Sequence, residues 1–247
     1  MLVKLKQFLI SIPVISIILA KLYLLFNQEF KRQNLFFAKF ISKDDLVFDI
    51  GACYGKKLAS FVKLQAKVVA VEPQKKCLNF LKKAFSKSRV IFVQKAVGSK
   101  EGWADFWEGE DHSFSTMSKD WMTLTYHKWH HPYKVPVTTL DKLIEKYGTP
   151  SFIKIDVEGF ELAVLRGLSR PIKMISIEFT RKNIGQTLEI INFLKKSGPN
   201  RYNLSVGDEF KFKFKTWKKP NEIIAYFKKD KIPSWGDVYV KREKNKK

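Results

Sequence analysis

Short apolar runs bounded by turn residues recur along the chain, and amphipathic stretches separate them. Runs at 46–50, 67–71, 90–94, 152–156 and 174–179 are nearly continuous in Val, Ile and Phe. That pattern predicts strands buried on both faces, as in a parallel sheet covered by helices. Between them, 56–64, 73–85, 160–166 and 186–196 carry apolar residues at helical spacing. Pro73 suits a first helical turn, and Gly198-Pro199 suits a helix stop. The phenylalanine-rich stretch 28–41 predicts one more helix, capping the sheet. Strands alternating with helices define an α/β class with a doubly wound, Rossmann-like sheet. Segments 202–206 and 223–228 alternate apolar and polar positions, and are expected to close the sheet as an antiparallel edge pair.

One interval breaks the rhythm. Residues 96–136 show no clear strand–helix alternation, yet they hold Trp103, Trp107, Trp121, Trp129 and all four histidines. An aromatic insertion near strand ends suits a substrate cover. It equally suits a hairpin excursion packed on its own small core.

Chemistry enters at the end of the first strand. Asp49-Ile50-Gly51-Ala52-Cys53-Tyr54-Gly55 runs from a buried strand into a glycine turn, and the second strand ends in Glu72-Pro73. In a parallel sheet these two ends lie side by side. Gly51 and Gly55 allow a sharp turn and close approach to a ligand, and Glu72 can accept hydrogen bonds from ribose hydroxyls. An adenosine-bearing cofactor follows. A dinucleotide site prefers G-x-G-x-x-G under a pyrophosphate. Here Asp49 precedes the glycines, which disfavours a pyrophosphate and suits the cationic S-adenosylmethionine, although these two segments alone leave open a dinucleotide or a glycine turn that binds nothing.

Further along stand Val135-Pro136-Val137-Thr138-Thr139-Leu140-Asp141, Phe152-Ile153-Lys154-Ile155-Asp156-Val157-Glu158-Gly159-Phe160-Glu161 and Ile175-Ser176-Ile177-Glu178-Phe179. This ordered set resembles the FkbM family of S-adenosylmethionine-dependent methyltransferases over residues 44–206. The resemblance implies a class I methyltransferase fold and O-methylation of a hydroxyl on a glycan, glycolipid or natural-product acceptor. It implies a cofactor site of Asp49, Gly51, Ala52, Gly55, Glu72, Pro73, Ala96 and Asp156. The family's G-A-N-x-G loop has Cys53 in place of Asn. A thiol is a poorer hydrogen-bonding group than an amide, so cofactor affinity is expected to be lower unless a neighbour compensates.

Methyl transfer to an unactivated hydroxyl profits from a base and from alignment of the acceptor oxygen. Asp156, Glu158 and Glu178 fall at or just beyond adjacent strand ends and are the candidate catalytic residues. Asp156 has a competing role as a cap of the following helix. His112, His127, His130 and His131 offer further bases, and Ser113, Ser115 and Thr116 offer hydroxyls for an acceptor pocket. No helical His pair with a matched acid supports a metal, and none is expected.

Composition bounds the remainder. The 247 residues are 45% hydrophobic with 21 Phe, enough for one packed domain. Cys53 and Cys77 are the only cysteines, so no disulfide framework is expected and a reducing cytosol fits. The net charge of +22 admits three accounts: solvated lysine, attraction to anionic lipid, or nucleic acid. No arginine-rich, aromatic-interleaved stripe appears, so nucleic acid is not an expected partner.

Residues 8–26 form an apolar stretch broken by Pro13 and Lys21, with Lys4, Lys6, Lys31 and Arg32 flanking it. Segment 1–27 is therefore expected to span or lie on a membrane, or to cap the domain. A methyltransferase domain over 28–240, an insertion at 99–136 and a basic tail at 241–247 complete the expected organisation. The expected location is cytoplasmic, attached to a membrane through the amino terminus. Two other functions stay open: an RNA methyltransferase, suggested by the charge, and a non-catalytic membrane-bound adenosine-ligand module, suggested by Cys53 and the apolar start.

Overall fold

A computed structural model describes residues 28–243 apart from Tyr126 and Asp230. The expectations for 1–27 and for 244–247 lie outside the described residues. Among those described, no helix is long and apolar enough to cross a membrane.

The chain enters through α1 (Gln28–Phe37) and then alternates: β1 (Leu46–Ile50), α2 (Leu58–Lys63), β2 (Lys67–Val71), α3 (Lys75–Ala84), β3 (Val90–Val93). After an insertion it resumes with α5 (Leu140–Tyr147), β7 (Phe152–Ile155), α6 (Glu161–Arg166), β8 (Met174–Thr180), α7 (Ile184–Lys196), β9 (Asn200–Val206), α8 (Pro220–Phe227) and β10 (Trp235–Arg242). Seven strands form one sheet in the order β3-β2-β1-β7-β8-β10-β9. All are parallel except β10, which runs antiparallel to both β8 and β9. This is the doubly wound arrangement, with an antiparallel edge, that the sequence resemblance implies.

The period-2 alternation of a strand divides the core in two. One face presents Phe48, Ile50, Ile153, Ile155, Ile175 and Ile177 to aliphatic residues of α5, α6, α7 and α8. The opposite face presents Val47, Val68, Phe152, Met174 and Tyr239 to Phe36 and Phe37 of α1 and to Leu58 and Phe61 of α2. Aromatic rings dominate this second layer. Phe37 meets Phe61 at 4.9 Å between centroids, and Phe36 meets Tyr239 at 5.2 Å, both edge-on. The stretch read as a capping helix therefore does cover the sheet, through its phenylalanines.

The edge differs from the sequence reading in one strand. Residues 223–228 are not a strand but belong to α8, and the partner of β9 is β10. Pro220 opens the helix, and the Glu222 carboxylate accepts from the Lys219 backbone N–H at 2.8 Å, which fixes its first turn. Ile223 and Phe227, four apart, then fall on the buried face. β10 continues through Lys241 and Arg242, inside the segment expected as a tail.

The insertion folds as a small sheet, β4 (Ala96–Val97), β6 (Tyr133–Thr138) and β5 (Gly102–Phe106) in that order, with a short helix α4 (Lys119–Leu124). Ala96, Phe106 and Val135 form its own core.

Candidate active site

The strand alternation that fills the phenylalanine layer also sets the chemistry. On that same face, beyond Val47, Phe152 and Met174, come Asp49, Lys154, Asp156, Ser176 and Glu178. Asp49 and Lys154 are register partners across β1 and β7, and Lys154 and Ser176 across β7 and β8. Asp237 of β10 stands opposite Glu178. Here the parallel strands end and the layer of phenylalanines stops, leaving a cavity of about 340 Å³. Seven Asp or Glu residues line it against four Lys, an acidic hollow in a chain of net charge +22.

The glycine loop forms one wall. Gly51 and Gly55 have φ of +81° and +79°, a region open to glycine. Space as well as angle requires them. A Cβ on Gly51 would lie 1.8 Å from the Asp156 carbonyl oxygen, and one on Gly55 would press on Leu81. The close approach they permit is thus of loop to protein, packing the loop against the end of β7 and onto α3. Cys53 has φ +44°. Asn tolerates this left-handed conformation better than Cys does, so the structure gives a backbone reason for the usual Asn. The Cys77 sulfur beside it, together with burial, raises the Cys53 pKa and keeps it a thiol.

Glu72 is 2% exposed, and each oxygen already holds a backbone N–H. Oε2 accepts from Cys53 N at 2.9 Å and Oε1 from Gln74 N at 2.8 Å. Each oxygen keeps a second lone pair for a hydroxyl donor. Burial pushes its pKa up to about 7, against the pull of those two bonds. Asp49 is also 2% exposed, and its Oδ2 has no hydrogen-bond partner among the described residues. Burial raises Asp49 to about 6 despite the Lys154 charge. A buried carboxylate oxygen without a donor is the complement of an ammonium group. The amino acid end of S-adenosylmethionine fits that requirement, and the hydroxyl-accepting edge of Glu72 fits its ribose. Ala52, Pro73 and Ala96 line the same cavity.

At the other end, one oxygen each from Asp156, Glu158 and Glu178 lie within 4.8 Å of one another. Lys154, 2% exposed, binds Asp156 Oδ2 at 2.5 Å. Burial opposes the Asp156 charge, but the Lys154 ammonium overrides it and lowers its pKa. Glu158 and Glu178 go the other way. Burial, then the negative Asp156, hold both well above the usual range. Asp156 does not cap the next helix: α6 has Phe160 at its N-cap position and no side-chain cap bond. The turn is organised by Glu161 instead, whose buried Oε1 accepts from Val157 N and Gly159 N, both at 3.1 Å.

The insertion supplies the remaining wall, through His112, Ser113, Ser115 and Met117. Its four tryptophans do not line the cavity. Trp121 packs against Gly159, and Trp103 is 71% exposed. His112 is occupied: Lys76 Nζ lies 2.9 Å from its Nε2, and its Nδ1 lies 3.0 Å from Gln74 Oε1. An ammonium must donate, so Nε2 accepts and Nδ1–H donates, which makes the ring neutral. Burial and Lys76 both lower its pKa, in keeping with that. His127, His130 and His131 stand away from the cavity lining. Thr116 does not reach it either, and its hydroxyl donates to the Glu158 carbonyl at 2.6 Å. Sequence reasoning singled out neither Lys154, Gln74 nor Asp237. A lone lysine within a buried parallel strand was the available signal for the first.

The Methyltransferase FkbM domain model matches residues 49–203, well over half of the chain. The search of curated proteins found no match. Solved structures similar in fold include a precorrin-6y C5,15-methyltransferase from Geobacter metallireducens (11% identity, TM-score 0.46, covering 88% of this chain and 90% of that one). An rRNA methylase from Streptococcus thermophilus has 9% identity and TM-score 0.48, covering 89% and 99%. A Streptococcus mutans methyltransferase in complex with SAH has 10% identity and TM-score 0.44, covering 87% and 98%. On its family match, the chain belongs to the FkbM methyltransferases. It is an S-adenosylmethionine-dependent methyltransferase.

Proposed function

We propose that the protein transfers a methyl group to a hydroxyl of a glycan, glycolipid or natural-product acceptor, with Asp156 as the general base. S-adenosylmethionine supplies the sulfonium methyl when bound. Asp49 meets its ammonium, Glu72 its ribose hydroxyls, and Gly51 and Gly55 shape the loop between them. Asp156 takes the acceptor proton, while Glu158 and Glu178, biased toward the protonated form by burial and by the Asp156 charge, donate hydrogen bonds to neighbouring acceptor oxygens. The observation that carries this reading is the single cavity shared by the glycine loop and the Asp156 end of β7. Alignment of the acceptor supplies much of the acceleration in such a displacement, and an ionised carboxylate within reach of the hydroxyl proton adds to it.

The excess of carboxylates in the cavity disfavours a phosphate-bearing acceptor, so the overall charge of +22 does not argue for RNA at the reacting centre. The test compares methylated products from cells expressing the wild type or Asp156→Asn, with calorimetry on the purified proteins. The variant should bind S-adenosylmethionine yet lose its methylated product by roughly a hundredfold or more. Undiminished product from the folded variant removes Asp156 from the role. A methylated RNA as the product would replace the acceptor class.

A further inference from the structure

The acceptor end of the cavity sets a proton-distribution problem. Three carboxylates whose oxygens lie within 4.8 Å cannot all carry charge. Something must select the one that does. The groups around Asp156 come from every element packed there. Asp49 approaches from β1, Lys57 from the turn before α2, and Glu178 from β8. Glu158 and Glu161 approach from the turn beyond β7 and from α6. Asp237 of β10 acts on Lys154. Of the two cations, Lys57 is engaged elsewhere, with Asp208 Oδ1 at 2.9 Å and the Phe210 ring centroid at 4.5 Å. Lys154 is the cation inside the cluster, and its ion pair is with Asp156, not with either glutamate.

We propose that Lys154 is a positioning residue whose buried ammonium orients the Asp156 carboxylate and fixes the negative charge of the acceptor-end cluster on it. This rests on the reading of Asp156 as the base, and gives that base its protonation state. The two neighbouring carboxylates are then biased toward their protonated form, so one small site pairs a proton acceptor with two groups inclined to donate. Lys154 occupies a sheet position that elsewhere on this face is filled by Val47, Val68 or Phe152. A packing role would be served as well by an apolar side chain of its length, because a buried ion pair is weak evidence for stability. The register contact with Asp49 gives Lys154 a second effect: it also favours the ionised form of the carboxylate assigned to the cofactor ammonium.

The experiment needs no acceptor. Protein labelled with ¹³C at the Asp and Glu carboxyl carbons is titrated by NMR. The Asp156, Glu158 and Glu178 resonances are assigned from the single variants Asp156→Asn, Glu158→Gln and Glu178→Gln. In the wild type, Asp156 should ionise at lower pH than both glutamates. In Lys154→Met its midpoint should move up by more than one pH unit, and Lys154→Arg should restore it. An Asp156 midpoint at or above those of the glutamates in the wild type overturns the proposal, even if Lys154→Met does not fold. So does an unmoved midpoint in folded Lys154→Met. Either result leaves the turnover of Asp156→Asn to decide separately whether Asp156 is the base.

Discussion

The two faces of the central strands make opposite uses of the same backbone. On the face toward α5, α6, α7 and α8, every inward residue from Phe48 to Ile177 is apolar and buried. On the face toward α1 and α2, Val47, Phe152 and Met174 give way to Asp49, Lys154 and Ser176 one alternation on, and to Asp156 and Glu178 one alternation further. Adjacent residues such as Ile153 and Lys154 thus differ in what they are for, although both are buried. Packing carries one face, and a cluster of charged groups ends the other.

That contrast can be broken from either side. Ile153→Ala, on the apolar face, should cost about 2–4 kcal/mol of stability and leave cofactor affinity per folded molecule unchanged, as measured by denaturant unfolding and calorimetry. A similar loss of affinity would show that the two faces are coupled more tightly than described.

Asp49→Asn should do the reverse. Asp49 has a folded-state pKa raised to about 6, so the fold holds a proton there that the unfolded chain releases. The stability it contributes is present below the unfolded pKa and is lost as pH rises through about 6. Removing the charge should therefore stabilise the unliganded protein at pH 8, by on the order of 1–3 kcal/mol. Cofactor binding should weaken by roughly ten- to a hundredfold, the loss of one charge-assisted hydrogen bond. In the wild type, affinity should fall as pH drops below about 6, because the ammonium needs the ionised carboxylate. Thermal unfolding and calorimetry across pH 5–8 check both signs.

Cys53→Asn is the smallest expected effect. Relief of the left-handed backbone should add about 0.5–1 kcal/mol, read as a small rise in melting temperature. No change would mean that packing between Cys53 and Cys77 offsets the backbone cost.

The sequence made most of this architecture legible, for identifiable reasons. Parallel strands buried on both faces leave continuous apolar runs, and four of the five such runs end in a carboxylate, an amide or a glycine turn. The Asp49 and Glu72 ends were readable in that way. The segment 223–228 was not, because a short apolar run satisfies both periods. The decisive Pro220 and Glu222 lay just upstream of the window. Gly236 to Val240 lies inside the domain expected at 28–240, but its apolar run, Val238-Tyr239-Val240, is too short to declare a strand by itself. Lys154 escaped because its meaning depends on Asp49 across β1, a register that only the fold supplies. The family-like I-D-V-E-G-x-E run divides its labour in the same hidden way: Asp156 faces the cavity, while Glu161 ties down the turn.

The insertion wall is fastened at both ends of the cavity. Gln74, next to the Glu72 carboxylate, donates to the His112 carbonyl at 2.9 Å. Thr116 donates to the Glu158 carbonyl, and Trp121 lies against Gly159. One strip of chain thus touches the neighbourhood of Glu72 and the neighbourhood of Asp156. Any displacement of that strip would strain the turn after β2 and the turn after β7 together, so the two ends of the cavity share one mechanical attachment.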